Sequence, residues 1–322
     1  MNRRSFVKQT AAGAAFFSLG GVGASIQNTM SFADDATDSS SKKIRLGAPV
    51  FGASDDPEEL ALAHREVGYR AAYCPRVGLD ETDRIRDIRE AFAKHDVVIA
   101  EVGRWCNLMD VNEDARRANL ERVTEGLALA EAVGARCCVD IAGSFNPDVW
   151  YGPHPKNLSD EFFDLAVENA RKIIDAVDPK TAKFGYEMMG WALPDTVDSY
   201  LRLIEAIDRD AFGVHLDPCN MINSPTLFYE NTAMLNDVFD RLGPHIVSCH
   251  AKDLTWDVEM NVHFREVVLG TGSLDYATYL RRLAELPGDS PLMIEHLSGE
   301  EEYARSREYV FEIGRECGVA FE

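Results

Sequence analysis
The sequence is short of the features that mark several common protein classes. No CxxC occurs among its seven cysteines, Cys74, Cys106, Cys137, Cys138, Cys219, Cys249 and Cys317. That argues against a thiolate zinc site, and an odd count without regular spacing is no disulfide framework. Basic residues are scarce: 33 against 54 acidic side chains give a formal charge of −21, and no basic run appears after residue 43. Such a chain repels phosphate backbones, which excludes nucleic acid and anionic membrane as expected partners. The one apolar, small-residue stretch near the N-terminus, residues 10–24, is too short and Gly-rich for a permanent membrane span. After the first predicted strand comes Phe51-Gly-Ala-Ser-Asp55 rather than GxGxxG, so an open doubly wound dinucleotide-binding sheet lacks its phosphate turn.

What is present is a globular composition, 46% hydrophobic and 9% aromatic, with material for a sizeable core. The chain opens Met1-Asn-Arg-Arg-Ser-Phe-Val-Lys8, turns apolar, and reaches a small-x-small cleavage pattern at Ser31-Phe32-Ala33. Arg3 and Arg4 followed by Ser5 and Phe6 resemble a twin-arginine export signal. Residues 1–33 are therefore expected to be a removable signal, 34–43 a Ser- and Asp-rich linker, and 44–322 the folded domain. Removing the signal leaves 30 basic against 54 acidic side chains, a charge of −24. The expectation is an exported, periplasmic protein with no stable membrane insertion after cleavage.

From residue 44 short apolar runs alternate with amphipathic ones. The apolar runs are 44–50, 69–74, 97–102, 136–142, 184–189, 211–216, 246–250 and 291–297. Helical patterns cover 57–67, 81–95, 112–133, 159–177, 194–208, 230–241, 275–285 and 301–315. Eight strand–helix pairs predict a single (β/α)₈ barrel. Asp56-Pro57-Glu58-Glu59 supplies an N-cap, a proline at the first helical position and acids in the first turn. Pro194-Asp195 is read as a second such start, and Gly68, Gly134 and Gly318 as helix ends.

Four metal-type ligands recur in phase at the strand ends: Glu187, Asp217, His250 and Glu295, separated by 30, 33 and 45 residues. One βα unit, or slightly more, lies between successive members, so barrel geometry gathers them on the face where this fold keeps its chemistry. Carboxylates do not belong on buried strands unless paired or metal-bound. Three carboxylates and one imidazole make a hard site for one divalent ion, Mn²⁺ favoured, with Mg²⁺, Co²⁺, Fe²⁺ or Zn²⁺ also suited. His215, two residues before Asp217, points to the same side of its strand. It is a candidate substrate contact or a core histidine. Lys252 is a candidate to bind a substrate oxygen or to balance Asp253. Trp105, Trp150, Trp191 and Trp256 fall after strands three, four, five and seven. With His154, they are expected to line a carbohydrate cleft, since flat aromatic faces pack against sugar C–H faces.

The segments Leu216-Asp-Pro-Cys-Asn220, His250-Ala-Lys-Asp253, Gly270-Thr-Gly-Ser-Leu-Asp275 and Ile294-Glu295, with Glu187, resemble the xylose isomerase-like TIM barrel family of sugar phosphate isomerases and epimerases. The resemblance covers about residues 44–322. It implies metal ligation by Glu187, Asp217, His250 and Glu295, and an acid/base role for Glu187 and Glu295. Asn220, a candidate substrate contact, stands where the family's ketose 3-epimerases often carry His, which points away from that activity. The leading expectation is a metal-dependent isomerase or epimerase acting through an enediolate on an uncharged sugar, keto-sugar or polyol. A lyase or dehydratase on the same scaffold is the alternative. A carbohydrate-binding protein without turnover is the competitor from another class.

Overall fold
The computed structural model describes residues 43–321. The signal reading of residues 1–33, and all but the last residue of the predicted linker, lie outside them. The strands in chain order are β1 (Lys43–Gly47), β2 (Ala71–Tyr73), β3 (Val98–Gly103), β4 (Cys137–Asp140), β5 (Lys183–Glu187) and β6 (Phe212–Leu216), followed by β7 (Ile246–Ala251), β8 (Asp253–Trp256), β9 (Phe264–Val267), β10 (Pro291–Ile294) and β11 (Ala320–Phe321). Strands β1 to β7 and β10 pair in parallel, and β10 closes onto β1. This is the eight-stranded barrel expected from the alternation.

Local chemistry sets the helices between them. These are α1 (Pro57–Glu66), α2 (Thr82–Lys94), α3 (Glu113–Val133), α4 (Asp160–Val177), α5 (Val197–Ile207), α6 (Pro218–Met221), α7 (Pro225–Tyr229), α8 (Asn231–Leu242), α9 (Tyr276–Ala284) and α10 (Glu300–Cys317). Asp56 accepts the backbone N–H groups of Glu58 and Glu59 at the start of α1, with Pro57 leading the helix. Gly134 and Gly318 end α3 and α10 in left-handed conformation. Between the sheet and the helices lies a continuous apolar layer that includes Leu46, Phe92, Leu127, Phe162, Phe184 and Leu216. Inside the barrel the packing is tight. A Cβ on Gly47 would meet the Ala71 carbonyl oxygen at 2.4 Å, and a second small cluster joins Ala71, Ala100 and Met293. Among the described residues no helix is long and apolar enough to cross a membrane.

Four details depart from the sequence reading. Helix α5 does not begin at Pro194-Asp195. It begins at Val197, where Thr196 and Ser199 form a reciprocal capping box, and Pro194 follows a cis peptide in the loop before it. The eighth barrel strand ends at Ile294, so Glu295 sits just past it. The β6-to-α8 connection folds into α6 and α7, each led by proline. The β7-to-α9 connection contains an antiparallel hairpin, β8–β9. Trp256 is consequently a strand residue of that hairpin, not a loop residue.

Candidate metal and active site
Glu187 is the last residue of β5, and His250 sits near the end of β7, level with Met293 of β10. Asp217 caps α6 directly after β6, and Glu295 follows β10. The structure brings these four side chains together, with one ligand atom from each lying within 4.8 Å of all the others. His250 Nδ1 is 2.8 Å from Glu295 Oε1, 3.3 Å from Glu187 Oε1 and 3.8 Å from Asp217 Oδ2. Asp217 and His250 are fully buried, and Glu187 nearly so. Asp217 spends Oδ1 on the N–H groups of Cys219 and Asn220. Its Oδ2, like Glu295 Oε1, is buried without an aligned hydrogen-bond donor.

Three buried carboxylates demand positive charge, because an uncompensated buried anion is strongly destabilising. Lys252 supplies part of it: Nζ stands 2.6 Å from Asp217 Oδ2, 2.9 Å from Glu295 Oε1 and 3.7 Å from Glu187 Oε1. It does not pair with Asp253, which corrects one of its two expected roles. Burial alone would lower the Lys252 ammonium, but Asp217, Glu187 and Glu295 outweigh it and raise its pKa well above the ordinary value. Burial likewise opposes protonation of His250, and Glu295, Glu101 and Glu187 overcome it. The two glutamates move apart. Burial raises Glu187 despite His250 and Lys252, whereas in Glu295 the same two cations prevail over burial and lower it. The donor set fits a divalent ion. Asp217 Oδ2 and Glu295 Oε1 have no aligned donor, and once His250 is neutral, as a ligand must be, Lys252 alone does not balance three carboxylates.

Asn220 donates to Glu187 Oε1 at 2.9 Å and receives Lys252 Nζ on its Oδ1 at 3.3 Å, so it belongs to the cluster. His215 is fully buried and gives the core reading of the two expected for it. Its Nε2 is 2.8 Å from Glu101 Oε2, and its ring stacks edge-on to His250 at 4.2 Å. A cleft of about 1180 Å³ opens beside the cluster, lined by Tyr151, His154, Trp191, Asn220, His263 and Glu266 among others. Trp191 and His154 thus fall where the cleft was expected. Trp105 borders a smaller cavity of about 320 Å³, with its ring 6.2 Å from that of His250. Trp150 is not among the cleft residues and packs edge-on against Tyr151. Trp256 lines a separate hollow with Tyr229 and Met260.

Three residues were not singled out from sequence. Glu101, on β3, contacts both buried histidines. Glu266, on the hairpin strand β9, approaches Lys252 to 3.6 Å and lies 2.8 Å from His296 Nδ1. His296 follows Glu295 in the left-handed region, φ 59°, unusual for a residue other than glycine. The hydrogen bond to Glu266 raises the His296 pKa against partial burial. The only sequence signals were an acid inside the apolar run 97–102 and a histidine beside a proposed ligand.

The family model described as xylose isomerase-like TIM barrel matches residues 62–313. Similar solved structures include a xylose isomerase-like TIM barrel protein from Mycobacterium smegmatis in complex with magnesium, at 18% identity and TM-score 0.60, with 86% of this chain and 98% of that one covered. The 3-keto-D-glucoside 4-epimerase of E. coli aligns at 15% identity and TM-score 0.61, over 85% and 100%. The probable 3-DHS dehydratase of petrobactin synthesis in Bacillus anthracis aligns at 14% and 0.60, over 83% and 97%. At these identities the likeness is one of fold. Comparison with curated protein sequences finds no match.

Proposed function
Because the chain belongs to the xylose isomerase-like TIM barrel family, we propose that it is a metal-dependent sugar isomerase or epimerase acting on an uncharged sugar, keto-sugar or polyol. The observation that carries this reading is the convergence of Glu187, Asp217, His250 and Glu295 beside an open cleft. These four residues would hold one divalent ion, and the ion, when bound, polarises a substrate carbonyl. The remaining chemistry belongs to the side chains. One glutamate takes the proton from the carbon next to the carbonyl, leaving an enediolate, and the other returns a proton. Return at the same carbon on the opposite face is epimerisation; return at the neighbouring carbon is isomerisation. An uncharged substrate fits the chain's negative charge and the aromatic and amide lining of the cleft.

Elimination of water from a related substrate is the second reading. The His296–Glu266 pair beside Glu295 favours it, since a leaving hydroxyl needs a proton donor of its own. Fold similarity to a dehydratase is compatible with it.

The test is incubation of the metal-loaded protein with a panel of ketoses, aldoses, inososes and 3-keto-glycosides in D₂O, followed by NMR. The expected outcome is deuterium entering the carbon beside the carbonyl, with an epimer or isomer as product; an unsaturated product indicates elimination. Glu187→Gln and Glu295→Gln should each lower turnover by about 10²–10⁴-fold, because an amide cannot carry the proton. If either variant retains near-wild-type turnover, that glutamate is not the acid or base.

A further inference from the structure
The ladder of the barrel is irregular in two places among the described residues, and both involve one cluster of side chains. Between β2 and β3 the register shifts at Ala72/Tyr73, so that Ala72 faces Ile99 while Tyr73 faces Glu101. Ile99 packs outward into the main apolar layer, and Ala100 belongs to the inner cluster with Ala71 and Met293. Strict alternation would send Glu101 outward with Ile99. The extra residue turns its carboxylate inward instead, which is what a bulge beside a functional site commonly does. Between β6 and β7 the register shifts at Val214/His215, which places His215 opposite Ser248. The side chains so redirected meet. Glu101 Oε2 is 2.8 Å from His215 Nε2 and 3.2 Å from Ser248 Oγ, while Oε1 is 3.1 Å from His250 Nε2. All four residues are at most 1% exposed.

We infer that Glu101 is the positioning residue of the metal site. It holds the His250 ring by Nε2, presents Nδ1 to Glu187, Asp217 and Glu295, and is itself braced by His215 and Ser248. The inference rests on the reading of those four residues as metal ligands. A ligating histidine needs its far N–H engaged, both to fix which nitrogen is bare and to keep the ring from turning. In this chain the partner is a carboxylate brought from the far side of the barrel, 149 residues away in sequence. Other contacts steady the same residue: the Tyr279 hydroxyl donates to the His250 backbone carbonyl at 2.9 Å, and the His215 ring packs edge-on against the imidazole. Glu101 alone grips the imidazole at the pole opposite the carboxylates. Burying a carboxylate here is costly, and the two imidazoles and one hydroxyl offset that cost only while all of them stay in place. The cluster is therefore rigid by construction.

The test uses the full chain and Mn²⁺ alone. Affinity and stoichiometry are measured by calorimetric titration, and the coordination environment by the EPR spectrum of bound Mn²⁺. Wild type is expected to bind one ion. Glu101→Ala should weaken binding by about 10–100-fold, the usual effect of removing such a partner, and should alter the spectrum. Glu101→Gln, nearly isosteric, retains one acceptor oxygen and should fall between the two. It also carries the test if the alanine variant fails to fold, with circular dichroism as the check on folding. Ser248→Ala, which leaves both histidine contacts intact, should stay within about threefold of wild type. A merely structural role for Glu101 would lower thermal stability and leave the affinity and spectrum of the folded variants unchanged, and that result overturns the inference. Two ions in wild type and one in Glu101→Gln would also overturn it, by making Glu101, His215 and His250 ligands of a second ion. If wild type binds no Mn²⁺, the metal reading itself fails, and the inference falls with it.

Discussion

Asp140 ends β4, fully buried, and accepts the backbone N–H groups of Cys106 and Ile141 at 3.0 and 2.9 Å. Cys106 Sγ lies 3.3 Å from its other oxygen. Burial outweighs these donors and raises the carboxyl pKa to about 7. The unfolded chain would titrate this group near 4. Between the two values the native state holds a proton that the unfolded state has released, so stability from this residue is present at low pH and is lost as pH rises. Asp140→Asn stays neutral throughout. Wild-type stability minus that of the variant, measured by urea denaturation, should fall by about 2–3 kcal/mol between pH 5 and pH 7. A difference that stays flat with pH shows that the carboxyl is not raised. At this scale the sequence is an uneven guide. Glu187, Asp217, His250 and Glu295 could be read because each interrupts or ends an apolar run at an equivalent place. Glu101 could not, because a register shift reverses the side to which simple alternation assigns it. Lys252 and His215 were recognisable as unusual, but the carboxylates that hold them, Asp217 and Glu295 for Lys252 and Glu101 for His215, lie on or just past other strands, 35 or more residues away.

Among the elements, the hairpin β8–β9 reaches the site without belonging to the barrel. Asp253 anchors it: one oxygen accepts the N–H groups of Gly270 and Gly272, the other those of Leu254 and Leu274. The two glycines of the Gly270-Thr-Gly272 turn therefore spend their N–H groups on a side chain of their own chain, while the Thr271 N–H donates to the Val268 carbonyl. Gly272 leaves room for this contact, since a Cβ there would meet Asp253 Oδ1 at 2.2 Å and the Leu254 carbonyl oxygen at 2.6 Å. Gly272→Ala should push the carboxylate out of its cage and cost about 1–3 kcal/mol. Thermal unfolding should begin a few degrees lower, about 2–4 °C per kcal/mol at this size, and limited proteolysis should cut sooner in residues 257–263. Unchanged cleavage and melting would show that Asp253 does not hold the hairpin. The helices were legible because caps, glycine ends and apolar periodicity are local signals. The hairpin was not, because its strands are only four residues long, β9 carries charge on its exposed positions Arg265 and Glu266, and both strands stand where a loop is expected.

At the scale of the whole molecule, the barrel closes only when β10 pairs with β1, and β11 then adds to β1 as well. The first and last strands are neighbours, so the fold is complete only after the whole chain has been made. None of the seven cysteines is in a disulfide, and five are buried. A chain threaded unfolded into an oxidising compartment would expose all seven thiols there, whereas one that folds first hides most of them. These features agree with folding before export, which is what a twin-arginine signal serves, and we propose that route on the strength of Arg3 and Arg4. Replacing both arginines by lysine keeps the charge but removes the recognised pair. The double variant should accumulate as precursor in the cytoplasm while wild type reaches the periplasm, as followed by fractionation and immunoblotting. Wild-type protein recovered from the periplasm and denatured without reductant should release seven reactive thiols. Unimpeded export of the double variant would show that the arginine pair is not read, and a low thiol count would show that the chain had crossed before its core closed.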